Sequence, residues 1–252
     1  MKIDVSQNPY ELGEKAANCV ADFIREAITA SGQARIVLST GASQFTTLEA
    51  LVKMDIDWSK VEAFHLDEYI GLDENHPASF VKYLRERFVD KIRGLKAFHF
   101  VDMSGGAEKI IAKLTEEINA APIDAGLIGI GENGHIAFND PPAVFKEEAS
   151  YKIVNLDEAC RRQQMGEGWF KTLDDVPRQA VSMTVPQIMK CKHVISAVPY
   201  AVKADAICKT LTAGESTPMI PATILKTHPD FRLFADKDSV SKTDPGLLKS
   251  NQ

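Results

Sequence analysis

A chain of 252 residues with 44% hydrophobic and 25% charged side chains has the make-up of a globular protein and room for one large α/β domain or two small ones. Its formal net charge of −6, with no basic stripe, argues against a nucleic-acid surface, and no apolar run approaches the ~20 residues that span a bilayer. Cys19, Cys160, Cys191 and Cys208 are widely spaced with no CxxC pair, and the N-terminus lacks an apolar signal core, so a cytoplasmic protein with reduced thiols is expected, without a disulfide framework or a zinc site.

Helical and strand patterns alternate along the chain. Pro9 to Ala30 reads as an amphipathic helix, with Ala16, Val20, Phe23, Ile24 and Ile28 at helical spacing. Arg35 to Ser39 is a short apolar strand, followed by a helix through Leu48 and Leu51. Val61 to Leu66 is a second strand. Pro77 marks a helix start, where its missing N–H is tolerated, and the helix carries Phe80, Tyr83, Leu84 and Phe88. Ala97 to Val101 is a third strand, residues 107–120 a helix, and Asp124 to Ile130 a fourth strand. The second half is less regular. It reads as a helix from Asp157 to about Phe170, strands at 180–184 and 193–198, a helix at 201–211 and a last strand at 231–235. This alternation predicts a Rossmann-like, open and mostly parallel sheet with helices on both faces. No repeat, low-complexity tract or linker interrupts it, so one domain over 1–252 is the simplest reading, with a polar tail from about 237 to 252 that is expected to be partly loose.

Three segments placed just after strands carry the chemistry. Thr40-Gly41-Ala42-Ser43 joins a strand to a helix, and its small residues let backbone N–H groups approach an anion. It is neither a P-loop nor a GxGxxG, and a plain strand–helix turn has the same look. Asp67-Glu68-Tyr69 offers two adjacent carboxylates. One can act as a general base if burial raises its pKa, or one can cap the next helix. Asp124 to Pro141 runs from an apolar strand into glycines and then Asn133, His135 and Asp140. His135 can pass a proton near neutral pH, with Asp140 or Asn133 fixing its tautomer. Of the other five histidines, His76 and His228 read as turn residues, and His65, His99 and His193 as packed strand residues. No pair has metal-ligand spacing, so no catalytic metal is expected. Lys203 opens a late helix from which it can reach the sheet-edge cleft. Arg161 and Arg162 are neighbours on one helix, so at most one faces that cleft.

Several motifs occur in the order of one family. They are Ser39-Thr-Gly-Ala-Ser43, Leu66-Asp-Glu-Tyr-Ile-Gly-Leu72 with His76-Pro-Ala-Ser79, Gly129-Ile-Gly-Glu-Asn-Gly-His-Ile-Ala-Phe-Asn-Asp-Pro141, and Val198 to Ala204 around Lys203. From about residue 10 to residue 238 the chain resembles glucosamine-6-phosphate deaminases (isomerases), which share their fold with 6-phosphogluconolactonases. The resemblance implies an enzyme that opens the pyranose ring of an amino-sugar 6-phosphate, moves a proton between C2 and C1, and releases ammonia as the ketose phosphate forms. Asp67 matches the base and His135 the ring-opening histidine. Gly41, Ala42 and Ser43 match the phosphate loop, with Lys203 as a cationic donor. No cofactor is implied, because the enolamine intermediate carries the chemistry. The partner implied is a small sugar phosphate. Relatives include monomers and hexamers, so homo-oligomerisation stays open.

The chain departs from the family's pattern at the histidine. Asn133-Gly134-His135 stands for Asp-Gly-His, and Asn139-Asp140-Pro141 for Asn-Glu-Pro. Asn133 can orient the ring but adds no charge, while Asp140 keeps the charge on a shorter arm. The family's phosphate-binding arginine aligns near Gln164, with Arg161 and Arg162 as the nearest cations able to replace it. The C-terminus is shorter than in members regulated by the N-acetylated sugar phosphate, which implies weak or absent regulation of that kind. The alternatives are a related sugar-phosphate isomerase, a 6-phosphogluconolactonase-type hydrolase and a non-catalytic sugar-phosphate sensor.

Overall fold

Seven parallel strands form the centre of the protein in the order β1-β10-β9-β6-β2-β3-β5. The structure is a computed structural model that describes residues 1–166 and 168–249, apart from the side chains of Ala159 and Lys249. The elements in chain order are β1 (Lys2–Ser6), α1 (Pro9–Ser31), β2 (Ala34–Leu38), α2 (Phe45–Leu51), β3 (Val61–His65), β4 (Asp67–Tyr69), α3 (Phe80–Arg87), β5 (Ala97–His99), α4 (Ala107–Asn119), β6 (Ala125–Leu127), β7 (Tyr151–Asn155), α5 (Glu158–Gly166), β8 (Gln179–Met183), α6 (Val185–Ile188), β9 (His193–Val198), α7 (Ala204–Thr212), β10 (Phe231–Asp236) and α8 (Pro245–Lys249).

Strand alternation sorts the core into two layers. On β2, Ile36 and Leu38 face the layer formed by α1, α2 and α3, while Val37 faces α4 and α7 on the other side. On β10, Phe234 and its neighbours Leu233 and Ala235 divide in the same way. Burial on both faces is why the inner parts of these strands, Ile36–Leu38 and Leu233–Ala235, read as unbroken apolar runs. Local chemistry sets the helix starts. Asn8 caps α1 by accepting the Tyr10 and Glu11 N–H groups, with Pro9 in the first turn. Ser79 caps α3 through the Lys82 N–H, so that helix begins at Phe80, three residues beyond Pro77.

A second sheet, antiparallel and of three strands, has the order β4-β8-β7. Of its strands only β8 is expected from the sequence, as the strand at 180–184, and β1, a short edge strand paired with β10, is not expected. The chain leaves the central sheet at His65 and joins the second at Asp67, with Leu66 accepting the Met183 N–H at the crossing. The predicted helix from Asp157 to Phe170 ends at Gly166. Beyond β10, Asp236 accepts the Ser239 N–H at 2.8 Å, and Ser239 and Val240 are buried, so the polar segment begins docked. Residues 250–252 of the expected loose tail lie outside the described residues. Among the described residues, no helix is long and apolar enough to cross a membrane.

The strand order reverses between β2 and β6. β2, β3 and β5 run outward to one side, and β6, β9 and β10 to the other. The loops that follow β2 and β6 therefore diverge and open a crevice, the place where such sheets bind ligands.

Candidate active site

A cavity of about 150 Å³ fills that crevice. Residues 39–44 after β2 and 129–132 after β6 form its walls, joined by Asp67, His135, Gln163, Gln164, Tyr200 and Lys203. Asp67, Glu68, His135, Gln164 and Lys203 are all buried.

Successive side chains on β4 point to opposite faces. Asp67 faces the cavity. Burial, and next the charge of Glu68, push its carboxyl up to about 8, with the Phe138 amide pulling the other way. Glu68 faces away. Its Oε2 accepts the Ser79 hydroxyl at 3.0 Å and the Val81 N–H at 2.8 Å, and its Oε1 accepts its neighbour's N–H at 2.8 Å. Burial also pushes Glu68 up, to about 7, against these hydrogen bonds. The two readings of the carboxylate pair thus separate: Glu68 holds the start of α3, and Asp67 is left for the cavity.

His135 also lines the cavity, with Asn133 and Asp140 behind it. Asn133 Oδ1 accepts the His135 backbone N–H at 3.0 Å, and Asn133 Nδ2 donates to Asp140 Oδ1 at 3.1 Å. The same Asp140 oxygen lies 3.2 Å from His135 Nδ1, but off the line of a straight hydrogen bond. Burial pushes Asp140 up, yet its contacts with His135, Asn133 and the Cys160 thiol outweigh that and hold it below the usual carboxylate range. A glycine at 131 is a steric requirement. A Cβ there would lie 2.2 Å from the imidazole.

Gly41 has φ +93, a conformation suited to glycine, and leads into a 3-10 turn over Ala42–Gln44 that continues as α2. The first N–H groups of such a turn have no acceptor within the helix. Lys203 ends a second 3-10 turn, Ala201–Lys203, after β9 and lines the same cavity. The loop and this ammonium offer donors, as an anion requires. Ala137 and Tyr200, the non-glycine residues with positive φ among those described, also line the cavity. Local strain of this kind gathers at functional sites. No three His, Cys, Asp or Glu side chains among the described residues come together as a metal site needs.

Residues 7–233 match the model of the family glucosamine-6-phosphate isomerases/6-phosphogluconolactonase. This chain belongs to that family. A glucosamine-6-phosphate deaminase of Thermoanaerobacter pseudethanolicus is 34% identical over 249 residues, which cover 96% of this chain and 94% of that protein. A solved monomeric glucosamine-6-phosphate deaminase superposes with a TM-score of 0.83 at 27% identity, covering 96% of this chain and 99% of its own. The 6-phosphogluconolactonase of Thermotoga maritima shares the fold, with a TM-score of 0.77 at 17% identity over 94% of this chain and 99% of its own.

Within this family frame, the structure corrects one expectation. Neither Arg161 nor Arg162 reaches the cavity. Arg161 donates to the Leu173 carbonyl and, at 3.2 Å, to that of Val176, while Arg162 pairs with Glu158 on the exposed side of α5. At about 100° per residue, the face of α5 that meets the cavity falls on Gln163 and Gln164 instead. Gln164 Oε1 accepts the Tyr69 hydroxyl at 2.7 Å, which leaves its amide nitrogen as the donor end. Among the described residues, Lys203 is then the one Lys or Arg that lines the cavity. No motif flags Gln164. Its signal is the resemblance noted above, which implies a phosphate-binding arginine near this position.

Proposed function

We propose that this protein isomerises and deaminates an amino-sugar 6-phosphate, converting glucosamine 6-phosphate and water to fructose 6-phosphate and ammonia. The observation that carries the reading is a buried carboxylate and an imidazole facing one cavity with a glycine-bearing loop at the start of a helical turn, in a chain whose relatives bear that activity's name. The phosphate rests on the N–H groups of Gly41, Ala42 and Ser43 and on the Lys203 ammonium. The sugar then lies between His135 and Asp67. His135 passes a proton between O1 and the ring oxygen as the C1–O5 bond breaks. Asp67 takes the C2 proton, leaving an enolamine, and returns it to C1. The resulting ketimine adds water at C2, the C–N bond breaks, and ammonia leaves with the ketose behind.

The push for this chemistry comes from the substrate's own nitrogen lone pair. The protein supplies a base of the right strength. A carboxylate raised by burial takes a carbon-bound proton more readily than an ordinary one, and general-base catalysis of this kind contributes about 10²–10⁴-fold. Asn133 and Asp140 hold the imidazole with one negative charge rather than two.

The test is turnover in heavy water, reading ammonia and the position of label. The reading predicts ammonia, and at C1 of fructose 6-phosphate the hydrogen that left C2, replaced by deuterium to the extent that the Asp67 carboxyl exchanges with solvent before returning it. Hydrolysis of 6-phosphogluconolactone with no ammonia from any hexosamine 6-phosphate would move the protein to lactone chemistry. Tight sugar-phosphate binding with no turnover would make it a sensor.

A further inference from the structure

Tyr83 is not among the residues that line the cavity, but it holds a residue that does. Its hydroxyl donates to the Gly41 carbonyl at 2.9 Å, and the Gln44 N–H donates to the same oxygen at 3.0 Å. A trans peptide is planar, with its N–H pointing opposite to its C=O. The Gly41 carbonyl is aimed at Tyr83 on α3. The N–H of the same peptide, which belongs to Ala42, a residue of the cavity wall, points the opposite way, away from Tyr83. Glycine rotates more freely than any other residue, so the phenol adds a second restraint to the one that the Gln44 N–H places on this carbonyl. The phenol is itself fixed. Its ring stacks on Phe45, the first residue of α2, at 5.6 Å and 22°, and the Arg87 guanidinium lies 3.8 Å from the Phe45 ring centre and 5.3 Å from that of Tyr83.

We propose that Tyr83 is a positioning residue for anion binding: its hydroxyl locks the peptide between residues 41 and 42 so that the Ala42 N–H meets the ligand's phosphate. This rests on the reading of the cavity as a sugar-phosphate site. Without the hydroxyl, the Gln44 N–H alone holds the Gly41 carbonyl, and the peptide turns over more readily to present a carbonyl oxygen to an anion. Attraction then becomes repulsion while every side chain of the cavity stays in place.

The test compares the full-length wild type with Tyr83→Phe and Phe45→Leu. It reads kcat and KM for glucosamine 6-phosphate and the rise in Tm caused by inorganic phosphate. Tyr83→Phe removes one oxygen. It is expected to raise KM about three- to tenfold, the range of one hydrogen bond, with kcat within about twofold and most of the phosphate-induced Tm rise lost. Phe45→Leu loosens the stack and keeps the hydroxyl, so both readouts move the same way by less. A Tyr83→Phe protein that melts lower in buffer but keeps the wild-type KM and phosphate response overturns the proposal, because the hydroxyl then serves only the fold. If Tyr83→Phe does not fold, Phe45→Leu decides, and unchanged KM and phosphate response there overturn the proposal equally. A wild type with neither turnover nor a phosphate response brings down the sugar-phosphate reading and this proposal with it. A wild type that turns over beside unaffected variants sinks the Tyr83 assignment alone.

Discussion

Asp67 and Glu68 are adjacent on β4 and face opposite ways, so one carboxylate serves the cavity and the other the start of α3. Glu68 takes the hydrogen bonds of Ser79 and Val81. Asp67 keeps a buried carboxyl with little to stabilise its charge. The division raises the Asp67 carboxyl, which on the function proposed above sets the strength of the base and also costs stability, and both consequences are measurable.

Asp67→Asn is expected to lower kcat by about 10²–10⁴-fold, the usual worth of a general base. The same change should stabilise the fold at high pH. The folded carboxyl titrates near 8 against an ordinary 3.8, so the native state binds the extra proton between those values. Stability from this group is present at low pH and lost as pH rises through 8. Thermal melts should show the variant gaining on the wild type from pH 5 to pH 9, by on the order of several °C at the upper end. Equal Tm differences at both pH values would mean that Asp67 is not held protonated by burial.

Glu68→Gln should move the acid limb of kcat/KM to lower pH. Glu68's charge raises Asp67, so a neutral amide lets Asp67 ionise earlier. The variant keeps an acceptor for Ser79 and Val81. A pH–rate profile that shifts upward, or not at all, contradicts this coupling.

Gly131→Ala puts a methyl group where the His135 ring lies. The imidazole must move by an ångström or more, which costs about 10²-fold in kcat. Circular dichroism should show the fold retained, because the clash is confined to the cavity. Wild-type activity in this variant would remove His135 from the mechanism.

The arginines of α5 give a contrast. Arg162→Ala should leave KM unchanged and stability within about 1 kcal/mol, since its ion pair with Glu158 is exposed. Tyr69→Phe should raise KM about three- to tenfold by releasing the Gln164 amide. Steady-state kinetics of the two variants check both statements, and the reverse order of effects would restore an arginine to the phosphate site.

The central sheet was readable because strands buried on both faces, such as Ile36 to Leu38 and Val194 to Val198, leave runs that are apolar but for Ser196. The second sheet was not. β4 is Asp-Glu-Tyr, a polar signature whose burial comes from its tertiary partners, and β7 exposes Ile153 on its outer face. His135, Asn133 and Asp140 lie within eight residues and could be grouped by spacing alone. The contact of Tyr83 with Gly41 spans 42 residues, and that of Tyr69 with Gln164 spans 95, so only the fold brings them together. On α5, helical spacing limited the arginines to one inward position but gave no phase, and the inward face carries glutamines.

The most direct measurement is ammonia release from glucosamine 6-phosphate by wild type and Asp67→Asn protein, side by side. The account predicts steady release by the wild type and a rate lower by about 10²-fold or more in a variant that melts at or above the wild-type temperature. Equal rates in the two proteins, or no ammonia from the wild type, would contradict it.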